Sequence, residues 1–420
     1  VEKDAMKKTW FLACMAVGFF TLSGCASMRY HPSQARTDLL QENWLKTITQ
    51  DPAPWLQNAD PWFFSGEPNK TERRVDTAPT STAMTIMTVK VPDFTKLITN
   101  GNFQVQILGN LDHNTVDILG PNNLVRNIAV TVHGNSILIR TIKNSPVSLQ
   151  NVIVRIGVHV LNVIKNTDAT ITGRNILTEQ FVLDTMNANT LLQGHLGLQK
   201  VIHTGRGTTT LIGVSSPHLT MELNGNGNIN ASGKIGINRI KHYGDGRINI
   251  IGADSESLLI AAGGRGTTAV SGYVNLRAIT AKDAAKVYLY WVNSVNVAID
   301  ASDKAHIGLA GVANNANVTL HGDARFDGEY LQVQNFYLRT FDNSHANITA
   351  RTKLFAAVQG GSSVYFFGAP AVMAKVVSPY SMLISVGSAP ILQPPRNLFH
   401  PQKWNSFHDY SYSEKKPALE

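Results

Sequence analysis

The sequence is poor in cysteine. It has two, Cys14 and Cys25, so no thiol lies beyond position 25 for a disulfide, a thiolate metal site or a cysteine nucleophile. Charge is also scarce, at 16% of residues, and the polar positions are filled by Asn, Ser and Thr instead. The net charge is +8 and the pI about 9.3, a balance that suits an anionic membrane face or an acidic glycan as well as nucleic acid. The basic residues stand singly, with no dense stripe interleaved with aromatics, which argues against nucleic acid. The 13 histidines show no H-E-x-x-H or H-x-H spacing, although stacked coils could still unite some of them. No G-x-S-x-G context marks a nucleophile. The glycine turns at Gly205–Gly207 and Gly263–Gly266 precede no helix that could hold a phosphate. No metal, cofactor or catalytic residue is assigned from these patterns.

What the chain does have is a beat. From about Thr167 to Gly368, units read small or β-branched, any, aliphatic, any, glycine, as in Ile229-Asn-Ala231-Ser-Gly233 and Ile307-Gly-Leu309-Ala-Gly311. Successive closing positions are 18 to 21 residues apart, with one double step of 39. Eight of the ten are glycine, and Trp291 and Ala350 are the exceptions. A fixed period near twenty marks a solenoid. Alternation within each unit puts two side chains on one face of a strand. One column runs from Ala169 through Ile248 to Val364, and a second from Ile171 through Ile250 to Phe366. Both should point inward and stack. Glycine and asparagine are poor helix formers, and no unit has room for a long amphipathic helix. The expected fold is therefore all-β: a right-handed parallel β-helix with rungs of about twenty residues.

Four segments follow. Residues 1–24 read as a signal peptide, with residues 1–5 as an upstream extension. Lys7 and Lys8 form its positive start and Trp10 to Leu22 its apolar stretch, too short to span a membrane stably. Leu22-Ser-Gly-Cys25 resembles the lipobox of bacterial lipoproteins. That resemblance implies acylation of Cys25, with Cys25 as the first mature residue. Several acyl chains give stable anchoring where one is marginal. Because Ala26 rather than aspartate follows, the resemblance implies the outer membrane, with periplasmic or surface exposure left open. Residues 25–90 would then be a lipidated tether, with a short helix over Asp38 to Thr49 and tryptophans among prolines near Trp55 and Trp62 that could cap the β-helix. The β-helix proper is expected over 91–377.

Within it, Phe94 to Ile98, Phe103-Gln-Val105-Gln-Ile107, Thr115 to Gly120, Asn123-Leu124, Ile128 to Val132 and Gly134 to Ile139 follow one pattern. It is similar to the opening of the auto-transporter adhesin head GIN family (DUF2807). The likeness covers about Phe94 to Gly272, and later rungs continue it loosely. It implies a non-enzymatic domain of the cell envelope.

Residues 312–349 break the beat. Val318-Thr-Leu320-His-Gly322 reads as a rung out of phase, and Phe326, Tyr330, Phe336, Tyr337 and Phe341 then crowd together. This reads as a protruding loop or a longer coil, and as a candidate binding surface. The alternative is aromatic packing over a phase slip. Residues 378–420 are rich in proline and aromatics, including Trp404, Phe407 and Tyr410. They would either cover the open end of the solenoid or dock on another envelope protein. Asp283 and Asp303, one coil apart, are the best case for a polysaccharide lyase or hydrolase, because adjacent rungs lie about 4.8 Å apart and could pair carboxylates. Asp is also a routine turn former at such corners. The reading preferred on balance is an outer-membrane lipoprotein whose β-helix binds envelope proteins, peptidoglycan or another glycan, as part of an assembly or as an adhesin.

Overall fold

The computed structural model describes residues 83–142, 148–373 and 376–390. The expected signal segment, Cys25, the tether helix and the tail beyond Pro390 lie outside these. The described chain is a parallel β-solenoid of about 12 turns. None of its helices is long and apolar enough to cross a membrane.

Its leading region contains β1 (Met84–Val89), β2 (Lys96–Asn100), β3 (Gln104–Leu108), β4 (Thr115–Pro121), a single turn α1 (Asn122–Val125), β5 (Ile128–His133), β6 (Ser136–Thr141), β7 (Ile153–Gly157) and β8 (Val163–Thr167). The coils do not stack in chain order here. Strands β2 and β3 lie between β6 and β7 on one side and β8 and β9 (Thr170–Met186) on the other, all parallel. Beyond β6 and β7 the pairing turns antiparallel, through β5 and β4, and β1 closes on β4. Pairing thus starts at Met84, ahead of the limit of 91 read from the sequence.

The body continues with β10 (Thr190–Gly205), β11 (Thr208–Gly225), β12 (Asn228–Gly244), β13 (Arg247–Gly264), β14 (Thr267–Ala281), β15 (Lys286–Ala301), β16 (His306–Leu320), β17 (Arg325–Thr340) and β18 (His345–Val358). Each long strand is one coil, bent at register shifts and paired in parallel with the next. The last coil is made of β19 (Ser363–Phe367) with β20 (Ala371–Val372) and β21 (Val376–Val377), and β22 (Met382–Gly387) pairs on β19. Parallel pairing therefore runs past residue 377.

Both predicted columns are interior. Ile229, Ile248, Ile307 and Val364 are fully buried, and so are Leu192, Leu211, Ile250 and Ile348. Register explains the stacking: Ile229 opposes Ile248, which opposes Thr268, then Val287 and Ile307. Buried polar members are paired across the core. Thr209 Oγ1 meets His203 Nδ1 at 2.9 Å, and Thr268 Oγ1 meets His242 Nδ1 at 2.9 Å.

Two backbone corners account for the composition. At the closing position Gly233 (φ 156°) and Gly311 (φ 140°) have no room for a side chain: a Cβ would overlap the carbonyl oxygen of Val214 or Val292 on the preceding coil. Trp291 adopts φ 78° at this position, a conformation costly for a bulky residue, by about 1–3 kcal/mol. The second corner is the turn between coils. It stacks Asp168, Asn187, Gly205, Gly225, Gly244, Gly264, Asp283, Asp303, Gly322, Asp342 and Gly360, and every one has positive φ. Glycine, Asn and Asp are the residues that enter this region readily.

Residues 312–349 form no protruding loop; they run within the stacked coils as parts of β16, β17 and β18. Phe326 opposes Ile307 and Ala346 in column one. The coil carries one extra residue after Asp327, a β-bulge, before Tyr330 rejoins opposite Ala310. Column two holds Gly328 there, and a Cβ on it would collide with the Phe326 ring. A large residue beside a small one keeps the core volume while hiding the repeat from a sequence pattern.

Candidate binding surface

The structure divides the expected surface aromatics. Phe326 and Phe336 are fully buried and pack ring to ring, with centroids 6.3 Å apart. They are core residues, which corrects their place on a binding face. The pattern misled because alternate residues of one strand face opposite ways. Tyr330 is half-buried, and Tyr337 points outward and stacks on Phe355 of the next coil at 4.7 Å and 4°. Trp404, Phe407 and Tyr410 lie outside the described residues.

Asp283 and Asp303 do stack, as their spacing suggested, but their carboxylates serve the backbone. Asp283 Oδ2 accepts from Gly264 N–H at 2.8 Å, and Asp303 Oδ2 from Asp283 N–H at 3.1 Å. Asp342 does the same for Gly322 at 2.8 Å. The hydrogen bond from Asp283 N–H, and then that from the Ser302 hydroxyl, hold the Asp303 carboxyl below its usual range. Asp245 occupies the next turn position and pairs with Arg265 instead. The row is a turn ladder with no carboxylate pair facing a cleft.

A denser constellation sits elsewhere, on the outer side of the strand segment that carries columns one and two. Tyr288, Gly308, Asp327, Asn347 and Tyr365 form one outward column, and Lys286, His306, Arg325, His345 and Ser363 the adjacent one. Gly308 leaves a notch over which the Tyr288 ring lies, since a Cβ there would crowd that ring. His306 fills the space between. Its Nε2 lies 2.6 Å from Asp327 Oδ2, its Nδ1 is 3.4 Å from the Tyr288 hydroxyl, and its ring meets Tyr288 edge-on. Asn347 Nδ2 donates to Asp327 Oδ1 at 3.1 Å. His345 Nδ1 is 2.9 Å from the Ser363 hydroxyl, and its ring packs against Tyr365.

Electrostatics follow from this packing. Burial pushes the Asp327 carboxyl up, but the His306 hydrogen bond and charge, with Asn347, outweigh it and leave the pKa lowered. Burial and then the nearby Asp327 charge raise the Glu329 carboxyl. Burial lowers the His345 imidazole. Burial first, then Asp327, drives the Tyr288 hydroxyl well up, so it stays protonated and serves as a donor rather than a nucleophile. Among the described residues, no three His, Cys, Asp or Glu side chains come together in a way that could hold a metal ion. The band therefore offers aromatic edges beside fixed donors and acceptors, over five successive coils or about 20 Å. Its members recur at offsets of 18 to 20 residues, a signal present in the sequence. It went unread because a varied outward column shows no repeating residue type.

A second feature is a shallow open groove of about 420 Å³ over the last segments of β11 to β13. Glu222 sits there between Lys241 at 3.3 Å and Lys200 at 3.6 Å, all partly exposed.

The fold and its outward ladders define a parallel β-solenoid that displays side chains along a stiff face. The chain belongs to the family described as "Putative auto-transporter adhesin, head GIN domain" (DUF2807), whose model matches residues 93–284 and 274–370. The match carries the family past the Gly272 reached from sequence. Among solved structures, the chain is similar to a "putative adhesin" of Bacteroides fragilis, 13% identical over 74% of this chain and 97% of that one, with a TM-score of 0.21. It is also similar to a "putative adhesin" of Parabacteroides distasonis, 15% identical over 72% and 97%, with a TM-score of 0.24. A "putative lipid binding protein" of Parabacteroides distasonis is 12% identical over 74% and 96%, with a TM-score of 0.20. Among curated proteins nothing matches.

Proposed function

We propose that this chain is a non-enzymatic, adhesin-like protein of the cell envelope, anchored by acylation of Cys25 in the outer membrane. Its solenoid holds a binding face toward a partner, another envelope protein or a glycan such as peptidoglycan. The observation that carries this reading is the Tyr288–Tyr365 band. Its polar groups are fixed by hydrogen bonds between coils before any partner arrives, and such pre-organisation lowers the ordering cost of binding. Family membership supports the adhesin-like character. The Leu22-Ser-Gly-Cys25 motif supports the anchor.

Two measurements test it. Replacement of Cys25 by Ser is expected to abolish fatty-acid labelling and release the protein from membranes; a variant that remains membrane-bound and labelled sinks the anchor. A photo-crosslinking residue placed at Asn347 or Tyr365 is expected to capture a partner in intact envelopes, and the same residue at Lys234, in a different segment of the coil, is not. Equal capture at both positions sinks the band as the binding face.

A further inference from the structure

The groove over the last segments of β11 to β13 is floored by two outward columns. One runs Lys200, Thr220, Arg239 and Leu259, and the next Ile202, Glu222, Lys241 and Ala261, each step being one coil, about 4.8 Å. Asn238, Glu256 and Ser257 add polar groups at its rim. Charge here is not matched pair by pair. Glu222 lies between Lys241 at 3.3 Å and Lys200 at 3.6 Å, so one carboxylate answers two ammonium groups. Arg239 is exposed and forms no ion pair among the described residues. Glu256, also exposed, is unpaired there too, which leaves three cations against two carboxylates on this face of β10 to β13. Leu259, 37% exposed, gives the floor an apolar spot beside Arg239. The groove is also open along the solenoid. Past β13 its columns go on as Ala278 and Ala298 and as Thr280, small side chains that keep the floor low, until Asp300 ends the track.

We infer that this groove binds a linear glycan carrying an anionic group, carboxylate or phosphate. Arg239 grips the anion with its planar fork, the lysines that share Glu222 supply further positive charge, and a sugar ring lies over Leu259. The Thr220 and Ser257 hydroxyls and the Asn238 amide suit sugar hydroxyls, because each both donates and accepts. An open track of about 20 Å from β10 to β14 fits a chain passing across it better than a compact molecule. Other anionic polymers fit less well. Strands β11 to β13 are paired on both sides, so an extended acidic peptide finds no free edge to add to. No Phe, Tyr or Trp ring lines the groove for a nucleic-acid base to stack on. The site lies on other coils, and on another segment of them, than the Tyr288–Tyr365 band, so it does not rest on that reading.

Titration calorimetry on the purified full chain tests it. The probes are oligogalacturonate for carboxylate, a phosphorylated mannan oligomer for phosphate, methyl-esterified oligogalacturonate as the neutral control and polyglutamate as the peptide control. At least one of the two anionic glycans is expected to bind, with both controls at least about tenfold weaker. Arg239→Gln is expected to weaken that binding by at least about tenfold. Glu222→Gln, which frees both lysines, is expected to strengthen it at low salt, an effect that a purely structural role would not give. Tyr365→Ala should leave it unchanged. Arg239 and Glu222 both lie on the outer face, so the unfolding midpoints of their variants should stay close to the parent's. Failure of both anionic glycans to bind overturns the inference, and so does binding that Arg239→Gln leaves unaltered. Equal binding of polyglutamate would make the groove an acidic-peptide site, and loss of binding in Tyr365→Ala would move the glycan to the band; either result also overturns it.

Discussion

The turn between coils is built in two ways within one column. From Gly205 to Gly264 it is glycine at every step, and a second glycine follows two residues later at Gly207, Gly227, Gly246 and Gly266. From Asp283 to Asp342 aspartate takes over at three of four steps. The backbone is the same, with φ near 60–140° throughout, so the difference lies in what surrounds it. Under the glycine half lie two fully buried histidines, His203 and His242, in one interior column separated by Leu223. Their rings reach up into the turn, and a Cβ on Gly227 or Gly266 would overlap them. Under the aspartate half that interior column holds Ala281, Ala301, Leu320 and Thr340. No ring rises there, and side chains on the turn can instead tie each coil to the one before. One half yields space to a buried ring; the other uses a carboxylate as a staple.

The largest way to separate the halves is acid. His203 and His242 are neutral because burial lowers both pKa values, that of His242 to about 4, and each Nε2 lacks a hydrogen-bond partner. At His242 the unfolded chain takes up its proton near pH 6.5 while the folded chain resists to about pH 4, so this contribution to stability is full above pH 6.5 and falls as pH drops toward 4, and His203 acts in the same direction. The expected loss from His242 alone is about 3 kcal/mol. Exchange of β12 and β13 amides should quicken over that window, and His242→Met should flatten the dependence. An unchanged slope in that variant would show that carboxylates set it.

Next is Gly227→Ala. The added methyl meets the His203 ring, and overpacking of this kind costs about 1–3 kcal/mol. In a His203→Ala background the same change should cost measurably less, because the obstructing ring is gone. Additive effects in that cycle, followed by urea unfolding, would mean that backbone crowding dominates.

The smallest effect belongs to the aspartate half. Asp342→Ala loses both the bond from Gly322 N–H and the tolerance of φ 59°, at about 1–2 kcal/mol. Asp342→Gly should recover most of that, since glycine supplies the conformation at Gly322 and Gly360 on either side. If Gly proves as damaging as Ala, the staple matters more than the backbone angle.

Much of this fold was legible because a glycine corner and an alternating apolar pair recur with each coil. Residues 312–349 were illegible for a definite reason. Phe326 occupies the volume of two column members and lets Gly328 stand where an aliphatic residue was expected. The bulge then shifts the closing position to Leu331, which opposes Gly311. The same shift turned core rings into apparent surface aromatics. Asp283 and Asp303 were correctly placed one above the other, but the direction of a carboxylate is not a property of spacing. The Tyr288–Tyr365 band was harder still, since its meaning arises only when residues some twenty positions apart become neighbours.

The antiparallel strands at the leading end carry one more consequence. Continuing one parallel coil stack from copy to copy takes a matching parallel edge at both tips, and β1, β4 and β5, which pair antiparallel, do not offer one. Open-ended fibres require complementary faces at both termini. By reversing the direction of its opening strands, this molecule gives up one of them and with it the route to unlimited polymerisation.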